Sequence, residues 1–189
     1  MAYRQGLDKQ SVLLAAVELA DQVGIEQVTL AALAEKLNVK TPSLYNHIKG
    51  LPGLRRALAL HGLVQLKETL KESVVGKSGD DALMAAGLAY LAFVRRHPGL
   101  YEATLIANDM AATDAELQEL ATSIVSLMLR MLEALQLEPE AALHTVRGFR
   151  SIVHGFATLE GRYGFRMALD RDESFHRLLS TYLKGLRSS

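Results

Sequence analysis

The sequence predicts an all-α protein with about nine helices, because three features of the chain favour that class. Apolar residues recur at spacings of three and four over most of its 189 residues, and no segment alternates apolar and polar side chains as a half-buried strand does. Residues 82–94 hold no charged side chain, as expected of a buried helix, and are too few for a membrane span of about 20 residues. Residues 29–49 carry start and stop signals for two short helices joined by a tight turn.

The first predicted helix covers residues 9–24. Its apolar side chains fall on one face, and Gly24 is suited to ending the helix because glycine readily adopts a left-handed backbone. That face carries Val12, Ala15, Ala16, Leu19, Ala20 and Val23.

The next two predicted helices form a helix-turn-helix. Thr29 is expected to cap the first of them and Asn38 to end it, because asparagine tolerates a left-handed conformation. Thr41 is expected to cap the second, with Pro42 at its first position, where a helix needs no N–H. The second helix of such a motif can enter the major groove of DNA.

That second helix has polar outer faces. Leu44 and Ile48 lie four residues apart and would both face inward. A core helix would carry more apolar residues on its other faces, so the pattern indicates contact with a polar partner. The outward side chains are Ser43, Tyr45, Asn46 and His47, and Lys49 follows them.

The distribution of charge favours a nucleic-acid partner, although the total charge does not. The chain holds 21 basic and 21 acidic residues and is formally neutral, yet no acidic residue lies between Glu35 and Glu68. A positive surface beside the outward helix is what phosphate contact requires; a solvated helical face is the alternative interpretation. The interval holds Lys36, Lys40, Lys49, Arg55, Arg56 and Lys67.

Residues 9–56 resemble the DNA-binding domain of TetR-family transcription regulators. The matching features are an A-x-x-L-A pattern at residues 16–20, Gly24, and the segments 28–34 and 39–49. The string Leu-Tyr-x-His-hydrophobic-Lys in the last segment is far more specific than a general helix-turn-helix. The chain departs from the family in having Asn38 where a turn glycine is common, and it lacks the basic residue often found just after the recognition helix.

The resemblance implies which side chains approach DNA. Tyr45 and His47 would reach phosphates through their polar tips, and Lys49 would contact a phosphate near the start of the next helix. Thr41 and Ser43, at the helix N-terminus, would meet base edges. The predicted DNA-binding residues are Lys40, Thr41, Pro42, Ser43, Tyr45, His47 and Lys49.

The rest of the chain predicts six further helices. The first, over residues 52–75, is expected to link two parts of the protein, and residues 76–80 form the clearest break. The uncharged helix at residues 82–94 should lie centrally, with neighbours on every side, and residues 97–99 should end it. A short helix over residues 100–107 follows.

The last three helices are long and amphipathic. Thr113 and Glu116 form a T-x-x-E capping box that is expected to open the first of them. Pro139 is expected to open the second, and the third should cover residues 172–186. The third carries Phe175, Leu178, Leu179, Tyr182, Leu183 and Leu186 at helical spacing.

Two domains are therefore predicted, a DNA-binding domain at residues 1–51 and a helical effector-binding and dimerisation domain at residues 52–189. In TetR-like proteins the last two long helices pair with those of a second subunit, whereas periodicity alone does not separate a dimer face from a monomer core. The segment 153–160, which contains His-Gly and Leu-Glu, resembles the WHG type of TetR C-terminal domain, although the chain has no Trp. The predicted dimer interface is Phe149, Val153, Phe175, Leu179, Tyr182 and Leu183.

The resemblance also implies a pocket for a small-molecule effector. Few charges fall on the inner faces of the helices concerned, which favours an apolar or amphipathic molecule, and methionines adapt to irregular ligands. Plain core is the alternative for these aromatic and methionine side chains, and for His154. The candidate residues are Tyr90, Phe93, Tyr101, Met110, Met128, Met131, His154 and Phe156.

Enzyme classes find no support in the sequence. Cysteine is absent, which excludes thiol chemistry and zinc knuckles, and no phosphate loop, nucleophile elbow or H-E-x-x-H motif appears. No cofactor, metal or membrane partner is expected, and residues 1–10 lack a secretory apolar core, so a bacterial cytoplasm is the natural setting.

The sequence and the family resemblance together predict a dimeric transcriptional repressor that binds a palindromic operator in double-stranded DNA and is released by a ligand. The alternative is a helical ligand carrier or interaction module that has lost DNA binding.

Overall fold

The computed structural model describes residues 7–162 and 164–187, apart from the side chains of Asn108, Asp109 and Arg162. These residues form nine α-helices and contain no strand, so the predicted all-α class is confirmed. The helices are α1 Lys9–Val23, α2 Leu30–Lys36, α3 Thr41–Leu44, α4 Gly50–Ser73, α5 Gly79–Arg96, α6 Pro98–Ala111, α7 Ala115–Leu132, α8 Pro139–Arg162 and α9 Arg171–Leu186. Two 3₁₀ turns, Ile25–Gln27 and Glu133–Leu135, follow α1 and α7.

Contacts divide the chain into two compact units. Among the described residues, the first unit joins residues 7–64 with residues 96–120, and the second joins residues 65–95 with residues 121–162 and 164–187. Each unit is therefore built from segments far apart in sequence, and α6 belongs to the unit that holds the helix-turn-helix. The domain boundary at residues 51 and 52 stays a prediction.

Helix α1 begins and ends on the residues that its sequence favours. Asp8 caps it, since Asp8 Oδ1 accepts from the Ser11 N–H at 2.7 Å while Ser11 Oγ accepts from the Asp8 N–H at 3.1 Å. Gly24 ends it with a φ of 84°. The predicted apolar face is buried except at Val23, which is 47% exposed because it lies on the last turn of the helix.

Two predicted boundaries around α6 and α7 are wrong. The helix predicted for residues 100–107 extends over Pro98–Ala111, because proline fits the first turn and nothing in the following residues stops the helix earlier. The capping box predicted at Thr113 does not form. Asp114 lies one residue later and accepts from the Leu117 N–H at 3.3 Å, while the Thr113 hydroxyl donates to the Met110 carbonyl instead.

The second unit has an apolar core made by α5, α8 and α9. An added Cβ at Gly87 on α5 would overlap the Leu179 side chain and touch the Phe149 ring, so the glycine leaves room for these two side chains against α5. The expectation that α5 is covered on every side is wrong, because Leu88 is 41% exposed and Ala92 is also exposed. The helix has one buried face and one face open to solvent.

Among the described residues, no single helix is long and apolar enough to cross a membrane. The segments Ala115–Leu135 and Pro139–Gly161 are long and apolar enough only when taken together, and the chain bends by 116° between them.

Candidate nucleic-acid interface

The helix-turn-helix starts and turns as its sequence predicts. The Thr29 hydroxyl accepts from the Ala32 N–H at 3.1 Å and caps α2. Asn38 has a φ of 53°, in the left-handed region, and the Val39 N–H donates to the Ala34 carbonyl at 2.9 Å across the turn. Both predictions are confirmed because capping and left-handed turns depend on contacts within a few residues.

The second helix of the motif differs from its prediction in two ways. Helix α3 is only four residues long, and Lys40 occupies the N-cap position without any side-chain cap, so Thr41 is the first helical residue and not the cap. The backbone continues in turns, and the N–H groups of His47 and Ile48 both donate to the Leu44 carbonyl, at 2.9 and 3.0 Å. The recognition segment, residues 40–49, is thus one short helix extended by turns.

A single buried residue anchors this recognition segment. Leu44 has no exposed surface, whereas Tyr45 beside it is 60% exposed. Lys40, Pro42 and Lys49 are exposed as well, while Thr41, Ser43 and His47 are half-buried. All seven predicted DNA-binding residues thus lie within the ten residues of the recognition segment. Its two lysines and its tyrosine are exposed to solvent.

The positive surface beside this segment is smaller than the sequence predicts. Lys36 pairs with Glu18 at 3.0 Å, Arg55 pairs with Glu26 at 3.4 Å, and Arg56 pairs with Asp114 and Glu116. The absence of acids between residues 35 and 68 holds in sequence only, because folding brings acids from α1, the 3₁₀ turn and α7 to these side chains. The recognition segment has two lysines, Lys40 and Lys49. Neither makes an ion pair with another of the described residues.

Asp8 is a charged neighbour of the recognition segment that the sequence did not single out. Hydrogen bonds from the backbone and side chain of Ser11 lower the pKa of Asp8, and the nearby His47 lowers it slightly further. The N-terminus of α1 therefore lies close to His47. The capping motif at residues 8–11 could have predicted the start of α1. No local sequence pattern indicates that Asp8 lies near residue 47.

The eight candidate ligand-binding residues are divided between the two units. Tyr101 and Met110 lie on α6 in the first unit, and the other six lie in the second. Tyr90, Phe93, Met128 and Phe156 are buried, and His154 is half-buried. The candidates thus do not all share one compact unit, because the long connection through α5 returns the chain to the first unit at α6.

Of the spaces in the second unit, the two open grooves are lined by residues that the sequence analysis did not single out as ligand-binding candidates. Met128 borders an apolar gap too narrow for a water molecule, together with Leu83 and Tyr182. Two open grooves of about 470 and 650 Å³ flank the turn after α7 and share Gln136 and Leu137. No group of three or more histidine, aspartate or glutamate side chains in the described part of the chain is placed to hold a metal ion.

Most of the predicted dimer-interface residues lie inside a single chain. Phe149, Val153, Phe175, Leu179 and Leu183 are each at most 3% exposed, and the half-buried Tyr182 donates its hydroxyl to the Thr145 carbonyl at 2.7 Å. A side chain already buried by its own chain offers little surface to a second one, and the part of these residues in a dimer interface stays a prediction. The exposed leucines on the same two helices are Leu143, Leu159 and Leu178.

Comparison with known proteins agrees with this architecture at both ends of the chain. Residues 12–50 match the family model described as bacterial regulatory proteins, tetR family, and residues 83–182 match the tetracyclin repressor-like C-terminal domain. The chain is 38% identical over 187 residues to YobS of Bacillus subtilis (strain 168), described as an uncharacterized HTH-type transcriptional regulator, covering 98% of this chain and 96% of that protein.

Solved structures share the fold at low sequence identity. A protein with unknown function from Rhodococcus sp. RHA1 has a TM-score of 0.84 at 21% identity and covers 99% of both chains. A TetR variant from Acinetobacter baumannii AYE in complex with minocycline has a TM-score of 0.67 at 24% identity, covering 97% of this chain and 100% of that one. With a helix-turn-helix matched at one end and a repressor-type domain at the other, the chain belongs to the TetR family of transcriptional regulators and carries an N-terminal DNA-binding domain.

Proposed function

We propose that the protein is a homodimeric repressor that binds a palindromic operator and leaves it when a small apolar or amphipathic molecule binds. The observation that carries the DNA-reading part is the recognition segment, where exposed Lys40, Tyr45 and Lys49 surround the buried anchor Leu44. A rigid anchor with polar side chains around it supports contact with phosphates and base edges. Thr41, Pro42, Ser43 and His47 complete the proposed reading surface.

The size of the recognition segment supports a dimer. A helix of four residues extended by turns reaches few base pairs, whereas two copies related by a two-fold axis read two half-sites of a palindrome. Leu143 and Leu159 on α8 and Leu178 on α9 are between 42 and 50% exposed, which supports a second copy packing on these two helices. We place the dimer face on these exposed leucines.

The proposed releasing signal is a small molecule that binds the second unit. A protein of the same fold has been solved in complex with minocycline, which supports a small molecule as the releasing signal. In this chain the buried aromatic and sulfur side chains of the second unit, Tyr90, Phe93, Met128, Met131 and Phe156, offer apolar contacts to such a molecule.

The test is selection of bound sequences from a random pool of double-stranded DNA at physiological salt. Enrichment of a palindrome, lost when both Tyr45 and Lys49 are changed to alanine, is the expected result. The matched control changes Lys71 to alanine, because Lys71 is an exposed lysine of the second unit outside the reading surface. Weak binding without enrichment, equally sensitive to salt in all variants, would favour a ligand carrier that no longer reads DNA.

A further inference from the structure

A forked ion pair in the first unit lies two helical turns beyond the recognition segment. Arg56 Nε donates to Asp114 Oδ2 at 2.5 Å, and Arg56 Nη2 donates to Asp114 Oδ1 at 3.1 Å and to Glu116 Oε2 at 2.7 Å. A bidentate arginine–carboxylate pair fixes orientation as well as distance. By contrast, the adjacent Arg55 makes one longer contact, to Glu26 at 3.4 Å.

The pair joins the start of α4 to the corner between α6 and α7. Arg56 lies seven residues after Lys49, which is about 10 Å along a helix. Asp114 occupies the corner itself and also caps α7 through the Leu117 N–H. The recognition segment ends at Lys49 and α4 begins at the next residue, Gly50, so a tilt of the first turns of α4 moves the reading side chains.

The other end of α6 is attached to α1. The Leu100 N–H donates to Asp21 Oδ1 at 2.9 Å, and Glu102 Oε2 accepts from the Ile25 N–H at 3.1 Å. Helix α6 is therefore held to α1 at its beginning and to α4 at its end. Arg56 thus connects the start of α4 to the corner at the end of the same helix that is attached to α1.

Arg56 is poorly suited to bind a phosphate itself. Its Nε and Nη2 donors are directed to two carboxylates, so the local formal charge of the three side chains is negative. The guanidinium holds the pKa of Asp114 below its usual range, which keeps that carboxylate ionised near neutral pH. A phosphate would be repelled from this cluster, and direct DNA contact does not explain the arrangement.

We propose that Arg56, together with Asp114 and Glu116, is a positioning residue that holds the start of α4 and thereby sets the angle of the recognition segment on DNA. The inference rests on the proposed DNA-reading function and concerns the geometry of that same site.

Two substitutions that remove opposite charges distinguish a positioning role of the ion pair from a purely electrostatic effect on DNA binding. Arg56→Gln removes a positive charge and Asp114→Asn removes a negative one, and asparagine still caps a helix. Positioning predicts that both lower affinity for the selected operator by roughly fivefold or more, within the range of coupling between sites. Electrostatics alone predicts opposite shifts, because only the loss of the positive charge weakens attraction to phosphates.

The double variant and a second arginine serve as controls. The double variant Arg56→Gln with Asp114→Asn is expected to lose no more affinity than either single one, because both remove the same interaction. Arg95 on α5 makes a similar forked pair with Glu160 and contacts Asp172, all within the second unit. Arg95→Gln is expected to leave operator affinity unchanged.

Hydrogen exchange without DNA keeps the test independent of the operator. Faster exchange at residues 45–55 is expected in both single variants and not in Arg95→Gln, with little change in thermal midpoint because the pair is partly exposed. Unchanged exchange, or operator affinities that move in opposite directions or both rise, would overturn the proposal. Absence of any palindrome for the wild-type protein would instead refute the proposed function, while the exchange data would still decide the role of Arg56.

Discussion

Gly99 of α6 lies directly against the backbone carbonyl of Ala20 in α1. A Cβ added at Gly99 would overlap that carbonyl, so only glycine lets the first turn of α6 approach the last turn of α1 this closely. Asp21, the next residue, accepts from the Leu100 N–H and lies 2.8 Å from His97 Nδ1. The close approach and the two polar contacts attach α6 to the DNA-binding helices within one compact unit.

Changing Gly99 to alanine is expected to weaken this attachment. Overpacking a close helix contact costs about 1–3 kcal/mol in the free energy of unfolding, measured by urea denaturation. Gly161→Ala is the matched control, because Gly161 lies in α8 with open space around it, and there alanine should stabilise the helix by up to about 1 kcal/mol. Equal effects of the two substitutions would contradict the packing argument.

Substitutions at two adjacent residues of the recognition segment, Leu44 and Tyr45, should affect stability and DNA binding differently. Tyr45→Ala is expected to leave the free energy of unfolding within about 0.5 kcal/mol, because Tyr45 is 60% exposed. It should weaken operator binding more than tenfold, about 1.4 kcal/mol, since a hydrogen bond to a charged phosphate is lost. Leu44→Ala should cost about 2–5 kcal/mol of stability. Titration calorimetry and thermal denaturation measure both quantities, and a destabilised Tyr45→Ala protein would refute the exposed placement.

The free energy of unfolding is expected to fall in mild acid because the pKa of His61 is lowered in the folded protein. Burial first, and the nearby His97 second, lower the pKa of His61 from its ordinary value of 6.5. Below about pH 6.5 the unfolded chain protonates this histidine while the folded chain keeps it neutral, so the unfolded state binds more protons and is favoured. Above that pH the residue makes no pH-dependent contribution.

Urea denaturation between about pH 7.5 and pH 5.5 tests this expectation, because the window spans the ordinary histidine range. His61→Gln should lose less stability on acidification than the wild-type protein. His144→Gln removes an exposed histidine of α8 and serves as the control. Parallel pH profiles for the wild-type protein and His61→Gln would exclude His61 as the source.

Adjacent leucines on α9 should distinguish the dimer face from the core. Leu178 is 42% exposed and Leu179 is fully buried. Leu178→Glu is expected to leave the monomer folded and to weaken dimerisation at least tenfold, about 1.4 kcal/mol, as measured by light scattering across a dilution series. Leu179→Glu should cost about 3–5 kcal/mol and unfold the chain, because an unpaired charge is buried. A Leu179→Glu variant that is folded but monomeric would instead indicate that Leu179 lies in the dimer interface.

Features that depend on neighbours within one or two helical turns could be predicted from the sequence. Thr29 caps α2, Asn38 takes the left-handed turn, and Pro139 opens α8, because each requires only a suitable side chain and the backbone beside it. The exposure of Tyr45 beside the buried Leu44 follows from helical periodicity in the same way. The family resemblance rested on this local segment and is confirmed.

The covered helix faces and the pairing of charges became apparent from contacts between distant segments of the folded chain. Periodicity located the apolar face of α9 but did not say whether Leu179 packs on its own chain or on a second one. The acid-free interval did not show that Asp114 returns from 58 residues away to pair with Arg56. Burial and ion pairing depend on contacts between distant segments, and those contacts, through Gly99 and Ala20 for example, are what place α6 with the DNA-binding helices.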